Sequence, residues 1–179
     1  TQAYKFKDLE YDSQDQAWWP PHQHLRRITV LAVLGAKKKN LAITDIAVKL
    51  LLYWLGNDFH NLLENNWWFA MIGVPQELTN IDLFIADKIP DKGKDKLIAD
   101  WRNGTFKFGS GTRTQTGTNL FWCADISLKS GLSDQDQEQI DEAGTFLWRS
   151  SHTFKSQEIG FSLLIQRKPC FMNKNESII

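Results

Sequence analysis

Apolar side chains recur at three- and four-residue spacing through most of this chain, and Pro, Gly and Asn interrupt the pattern at short intervals. From Leu25 the stripe runs through Ile28, Ala32 and Gly35, widened by Leu31 and Leu34. Pro20 and Pro21 stand just before it, where the first turn of a helix has no partners for its N–H groups. The run Lys37-Lys38-Lys39 ends this helix at the end the macrodipole favours for cations, and Asn40 is placed to cap the next. A second helix carries Ile43, Ile46, Ala47, Leu50 and Trp54 on one face and stops near Gly56-Asn57. Helix, short polar turn, helix describes an antiparallel hairpin.

The pattern repeats. A third helix starts at Pro75 with Leu78, Ile81 and Ile85; a fourth starts at Pro90 with Leu97, Ile98 and Trp101, and Gly104 punctuates its end. Lys and Asp alternate in sign from Asp87 to Asp100, which reads as a solvated face rather than a binding patch. Residues 103–118 form a Gly/Thr/Ser-rich loop with a short extended piece around Phe106 and Phe108. A fifth helix runs from about Asn119 to Gly131 with Phe121, Ala124 and Leu128 inward. The sixth opens on the capping pattern Asp134-x-x-Gln137 and carries Ile140, Ala143 and Leu147. No long window shows strand alternation, so the predicted class is all-α, built of consecutive antiparallel helical hairpins. The hairpins occupy residues 1–160, and residues 161–179, without a clear period, read as an irregular tail.

Composition narrows the function. At 179 residues the chain fits one domain, or a piece of a larger one. Its 21 Lys+Arg cancel 21 Asp+Glu, so the basic field of a dedicated nucleic-acid binder is missing and no nucleic-acid partner is expected. The longest apolar stretch, Ile28 to Ala36, is too short to span a bilayer, and no membrane partner is expected either. No charged-then-apolar leader opens the sequence and there is no initiator Met, which is the expectation for a processed or trimmed N-terminus. Cys123 and Cys170 make no disulfide framework. His22 and His24 are two apart and would not share a helix face, so no metal site is predicted, and no dinucleotide or phosphate-loop motif calls for a cofactor.

Two features stand out in a chain with 8 Trp against 3 Tyr. The first is Asn65-Asn66-Trp67-Trp68-Phe69, followed by Ile72-Gly73-Val74-Pro75. Neighbouring side chains on a helix point about 100° apart, so both indoles cannot enter one core. Either one faces a cleft, where a Trp face suits the apolar face of a sugar ring and an Asn amide suits its hydroxyls, or both are core anchors. The second is Thr116-Gly117-Thr118-Asn119, which opens a helix after the polar loop. Asn119 is a candidate N-cap, or an uncharged amide at a positive helix end that binds a substrate carboxylate, with Arg113 adding charge.

These features, in this order, resemble polysaccharide lyase family 8, which includes chondroitin AC and ABC, hyaluronate and xanthan lyases. Residues 66–75, N-W-W-F-A-M-I-G-V-P, resemble the family's N-W-W-x-x-E-I-G-x-P segment, with Met71 in place of the Glu. Residues 116–119, T-G-T-N, resemble its T-G-A-N segment. Upstream, Trp19-Pro20-x-x-x-His24-Leu25-x-Arg27 is similar to the family's W-P-x-x-x-H-L-x-R, and Lys49 to Asp58, with Tyr53-Trp54, resembles its second-helix ending.

The resemblance implies part of an incomplete (α/α) toroid of hairpins lining a cleft. It implies that Trp67 and Trp68 form an aromatic patch positioning a polysaccharide beside Asn66 and Arg113, and that Asn119 neutralises a uronate carboxylate. It further implies a carbon–oxygen lyase acting on acidic polysaccharide such as chondroitin or hyaluronan by β-elimination, in a secreted or periplasmic setting. The family's base and acid, a His and a Tyr, lie in a segment like Q-H-G-x-x-x-x-x-x-Y. Here Gln157-Glu158-Ile159-Gly160 leads into Phe161 and a stretch with neither residue, and His152 does not match. The expectation is therefore the N-terminal part of such a lyase, truncated or disrupted near residue 160, with exposed hairpin edges that favour self-association. The competing classes are a non-catalytic helical carbohydrate-binding fragment and a helical-repeat interaction protein. The last of these predicts Trp67 and Trp68 fully buried and Asn119 merely capping.

Overall fold

A computed structural model describes residues 4–15, 17–57, 59, 66–105 and 117–153, with side chains up to residue 148. The described residues form six helices: α1 (Pro20–Lys38), α2 (Leu41–Gly56), α3 (Val74–Ile85), α4 (Asp91–Trp101), α5 (Gly117–Asp134) and α6 (Gln137–Thr153). No strand occurs among them, and the expected all-α class is the class found. No described helix is long and apolar enough to cross a membrane. The extended piece expected around Phe106 and Phe108 and the tail over 161–179 lie outside the described residues.

The α1–α2 hairpin turns at one residue in the left-handed region, Lys39 (φ 51°, ψ 38°). The amide of Asn40 returns to the Gly35 carbonyl at 2.9 Å, and its side chain accepts from the Ala42 and Ile43 amides at 3.1 and 3.2 Å. These bonds satisfy groups that helix ends otherwise leave unpaired. The two helices touch at Gly35, where an added Cβ would lie 2.6 Å from Thr44 Oγ1. The α5–α6 hairpin is built in the same way. Gln135 takes the left-handed conformation (φ 56°), the Asp136 amide bonds the Gly131 carbonyl at 2.9 Å, and Asp136 Oδ1 caps the Gln139 amide at 3.1 Å. A Cβ on Gly131 would lie 3.0 Å from Ile140 Cγ1. This corrects the expected cap: Asp134 is the last residue of α5, and Asp136, just past the left-handed residue, starts α6.

Trp19, Leu25, Ile28 and Ala32 from the start and length of α1 join Ala47, Leu51, Trp54 and Leu55 of α2 and Leu78, Ile81 and Ile85 of α3 in the main core. The α2 face is rotated from the expected one: Thr44, Val48 and Leu51 are buried, while Ile46 is 49% exposed. A helix with apolar residues almost all round, LAITDIAVKLLLYWLG, has little contrast to fix its phase, and the close approach of Gly35 to Thr44 sets it instead. Polar links then tie the helices together. Thr29 of α1 donates to Glu77 of α3 at 2.5 Å, and Ser133 of α5 donates to Asp82 of α3 at 2.6 Å. Burial raises both carboxyl pKa values, against the opposing effect of these bonds. The N-terminal segment is pinned by Tyr11, whose hydroxyl accepts from the Phe6 amide (2.9 Å) and donates to His24 Nδ1 (2.6 Å). His24 Nε2 donates in turn to the Leu50 carbonyl at 3.1 Å.

Candidate functional site

The Trp pair lies at the start of a helix that is longer than Pro75 alone suggests. Asn66 opens it: its carbonyl accepts from the Ala70 amide at 3.2 Å and its Oδ1 from the Phe69 amide at 3.4 Å. After Trp67 and Trp68 the chain makes a π turn, Phe69–Gly73, in which the Val74 amide bonds the Phe69 carbonyl, and it then runs directly into α3. Pro75 supplies the cause, because it has no N–H to complete the α-type bond to the Met71 carbonyl. That carbonyl lies instead against Gly104, where an added Cβ would stand 2.6 Å from it.

The two indoles part company as neighbours on a helix must. Trp67 is 51% exposed. Trp68 is half-buried, and its ring stands edge-on to Trp122 of α5 (centroids 5.6 Å apart, planes at 82°), to Phe69 (5.1 Å) and to His22 (6.3 Å). Gly73 lies beneath it: a Cβ there would come within 2.7 Å of Trp68 Cζ3 and 2.8 Å of Phe69 Cδ1. The burial that a core-only role predicts for both Trp residues is therefore not what the fold provides.

His22 approaches the same turn from α1. Its Nε2 donates to the Gly73 carbonyl at 3.1 Å and its ring packs on Phe69 with centroids 4.9 Å apart. Burial pushes its pKa down to about 4, against the opposing effect of that bond, so the imidazole is neutral at physiological pH. His24 is likewise pushed down to about 4, mainly by burial. The two imidazoles turn to different elements, one to the π turn and one to α2.

Asn119 lies within the first turn of α5, which starts at Gly117 (φ 58°), and so follows the cap position in which the sequence placed it. It is partly exposed and three residues before Trp122, hence on the same side of α5. The Trp68–Trp122 contact joins the segment that carries the Trp pair to the helix whose first turn carries Asn119, a link their separate motifs did not reveal. Asn119 itself stands at the positive end of an 18-residue helix. Arg113 lies outside the described residues. Cys123, one residue beyond Trp122, is buried and its thiol is pushed up to about 11, so it offers no nucleophile. No cluster of metal-ligating side chains occurs among the described residues. Sequence reasoning did not name Trp122, quoted Gly73 only within the Trp motif, and weighed His22 only as a metal ligand. The only signal was the packing of three aromatic residues, Trp67, Trp68 and Phe69, ahead of a Gly-x-Pro.

The chain matches the family described as polysaccharide lyase family 8, N-terminal alpha-helical domain, over residues 1–161. Two solved structures share its fold. One is a chondroitinase AC lyase whose active site was studied in enzyme–oligosaccharide complexes; it aligns at a TM-score of 0.65 and 20% identity over 83% of this chain and 22% of that one. The other is a Paenibacillus xanthan lyase, at a TM-score of 0.54 and 16% identity over 75% of this chain and 14% of that one. This chain thus spans less than a quarter of either lyase. No curated protein sequence matches it significantly. With nearly all of its helical region matched, the chain belongs to polysaccharide lyase family 8, whose N-terminal α-helical domain it carries.

Proposed function

We propose that this chain is the substrate-binding part of a lyase that cleaves uronic-acid-containing polysaccharide, of the chondroitin or hyaluronan class, by β-elimination. One observation supports the reading: Trp68, next to the exposed Trp67, packs edge-on to Trp122 of the helix that carries Asn119 in its first turn. A pyranose ring lays its apolar face on the indoles, with Asn66 and Arg113 as further polar contacts. The uronate carboxylate then meets the Asn119 amide and the positive end of α5, which offset its charge and acidify the hydrogen on C5. A base takes that proton, the C4–O bond breaks with its electron pair leaving on the oxygen, and a C4–C5 double bond forms. The departing sugar takes up a proton, and no water is consumed.

The part played by these residues is binding and carboxylate neutralisation. Neither His22 nor His24 can serve as the base, since each is buried, neutral and committed to a backbone carbonyl. Proton transfer is worth roughly 10²–10⁴-fold per group, so binding is expected to outlast turnover where that group is missing.

The test is to titrate the chain with chondroitin sulfate and hyaluronan while following Trp fluorescence and the ultraviolet absorbance of the unsaturated uronate. A fluorescence response that Trp67→Ala abolishes supports the binding role. An absorbance rise that falls roughly 10²–10³-fold in Asn119→Ala supports elimination with Asn119 as the carboxylate partner. If neither signal moves with either polymer, the reading is wrong.

A further inference from the structure

We infer that His22 and Gly73 are positioning residues for the carbohydrate platform: together they form a seat that fixes the Trp68 indole edge-on to Trp122. They act on substrate only through that ring, and the inference rests on reading the Trp pair as the platform. Three observations carry it. The first is steric. Gly73 lies against the Trp68 ring so closely that a Cβ would fall 2.7 Å from Cζ3, a distance that real Cβ atoms do not hold, and 3.3 Å from Cε3, a tight contact. A side chain at 73 must displace the Trp68 ring, the Phe69 ring 2.8 Å away, or both, and a shift of the indole breaks its edge contact to α5.

The second observation is the bond from His22. The Gly73 carbonyl is held by an imidazole 51 positions earlier in the chain, on a different helix, at 3.1 Å. That imidazole is 8% exposed among aromatic rings, where an apolar side chain would fill the space without the cost of burying a polar group. The bond it gains is directed at the one residue whose missing side chain admits Trp68. Its ring also touches both aromatics of the turn, Phe69 face-tilted at 4.9 Å and Trp68 edge-on at 6.3 Å. His22 thus fixes the turn from below and the rings from the side.

The third observation is the turn itself. A π turn is uncommon and holds one residue more than an α turn, so it shifts the angular position of everything before it relative to α3. Trp67 and Trp68 precede it, and their direction relative to α3 and α5 depends on the turn remaining in place. Pro75 prevents the α-type bond at one point, and the His22–Gly73 bond holds the turn at another.

The experiment uses the full chain in four variants: Gly73→Ala, His22→Phe, His22→Gln and Trp122→Phe. The Trp68–Trp122 pair, with planes near perpendicular at 5.6 Å, gives an exciton couplet in circular dichroism, identified by its loss in Trp122→Phe. Affinity for chondroitin sulfate is read by Trp fluorescence, and helicity and thermal midpoint report the fold. Gly73→Ala and His22→Phe are expected to diminish the couplet and weaken chondroitin sulfate binding about 3- to 10-fold, the range of a lost aromatic pair. His22→Gln, which keeps a donor for the carbonyl, is expected to recover most of both. An unchanged couplet in Gly73→Ala or His22→Phe overturns the seat. So does an equal loss in His22→Gln and His22→Phe, a comparison that stands even if Gly73→Ala does not fold. A wild-type chain that ignores chondroitin sulfate yet loses its couplet in His22→Phe upholds the seat and overturns the platform reading beneath it.

Discussion

The α1–α2 and α5–α6 hairpins are closed by one and the same corner yet stand on very different cores. In both, a glycine lies five residues before the cap, a left-handed residue one before it, and the residue four after it packs onto the glycine. Gly35, Lys39, Asn40 and Thr44 play these parts in the first hairpin; Gly131, Gln135, Asp136 and Ile140 play them in the second. Beneath the first corner lie Leu25, Ile28, Leu51 and Trp54, fully buried. Beneath the second lie Ile72, Cys123, Ala124 and Ala143, mostly small, with aromatics such as Trp122 and Phe146 only partly covered. Corners are local and portable, whereas depth of packing depends on side-chain volume. The candidate site belongs to the thinner region, and Trp68 packs against both clusters.

The sharpest way to break this comparison is to truncate one buried side chain in each core. Leu51→Ala, in the deep cluster, is expected to cost about 2–5 kcal/mol in chemical denaturation, and Cys123→Ala, in the thin one, about 1 kcal/mol. Equal losses, from side chains of such different size, would mean that the thin region is packed at least as tightly as the deep one. Acid distinguishes them next. His22 and His24 both belong to α1, with pKa values pushed down from 6.5 to about 4 by burial. Between those pH values the unfolded chain binds protons that the folded chain refuses, so stability falls as pH drops from 6.5 to 4 and levels off below. Each imidazole accounts for about 3 kcal/mol of that loss. Glu77 and Asp82, whose carboxyls burial raises, act in the opposite sense. Urea midpoints across this range, repeated in His24→Gln, measure the slope; a slope left unchanged by His24→Gln would contradict a buried neutral imidazole there.

The corners themselves should respond alike. Asn40→Ala and Asp136→Ala are each expected to cost about 1 kcal/mol, and a clear inequality between their thermal shifts would dissolve the shared motif. The smallest stability effect belongs to the exposed indole. Trp67→Ala should change the unfolding free energy by less than about 0.5 kcal/mol while removing the response to polysaccharide. A large destabilisation there would return Trp67 to the core.

Much of this was legible in the sequence because helical spacing is a local signal. Leu25, Ile28, Ala32 and Gly35 are all buried as their spacing predicts, as are Leu78, Ile81, Ile85, Leu97 and Trp101. The misplaced features each turn on something non-local or backbone-specific. Ile46 faces outward because the contact at Gly35 fixes the rotation of α2. Asp136 rather than Asp134 caps α6 because Gln135, an ordinary residue by composition, takes the left-handed conformation. Pro75 marks a start by the usual rule, but a π turn carries the helix back to Trp67 and no apolar period records it. At the candidate site the Trp pair and Asn119 were visible as motifs. The packing of Trp68 onto the helix of Asn119 runs through Trp122, which nothing in the spacing singled out.

The corner at Lys39 and Asn40 also carries a consequence for the order of assembly. It joins α1 to α2 across two residues, so closing the hairpin sacrifices little chain entropy and creates contacts between near neighbours in sequence. Such topology is the kind that folds in microseconds to milliseconds. The link from His22 to Gly73 spans 51 positions and has to wait for α3 to dock. Sequence separation therefore favours closing the hairpins first and completing the aromatic surface at Trp67 and Trp68 last, on helices already in place.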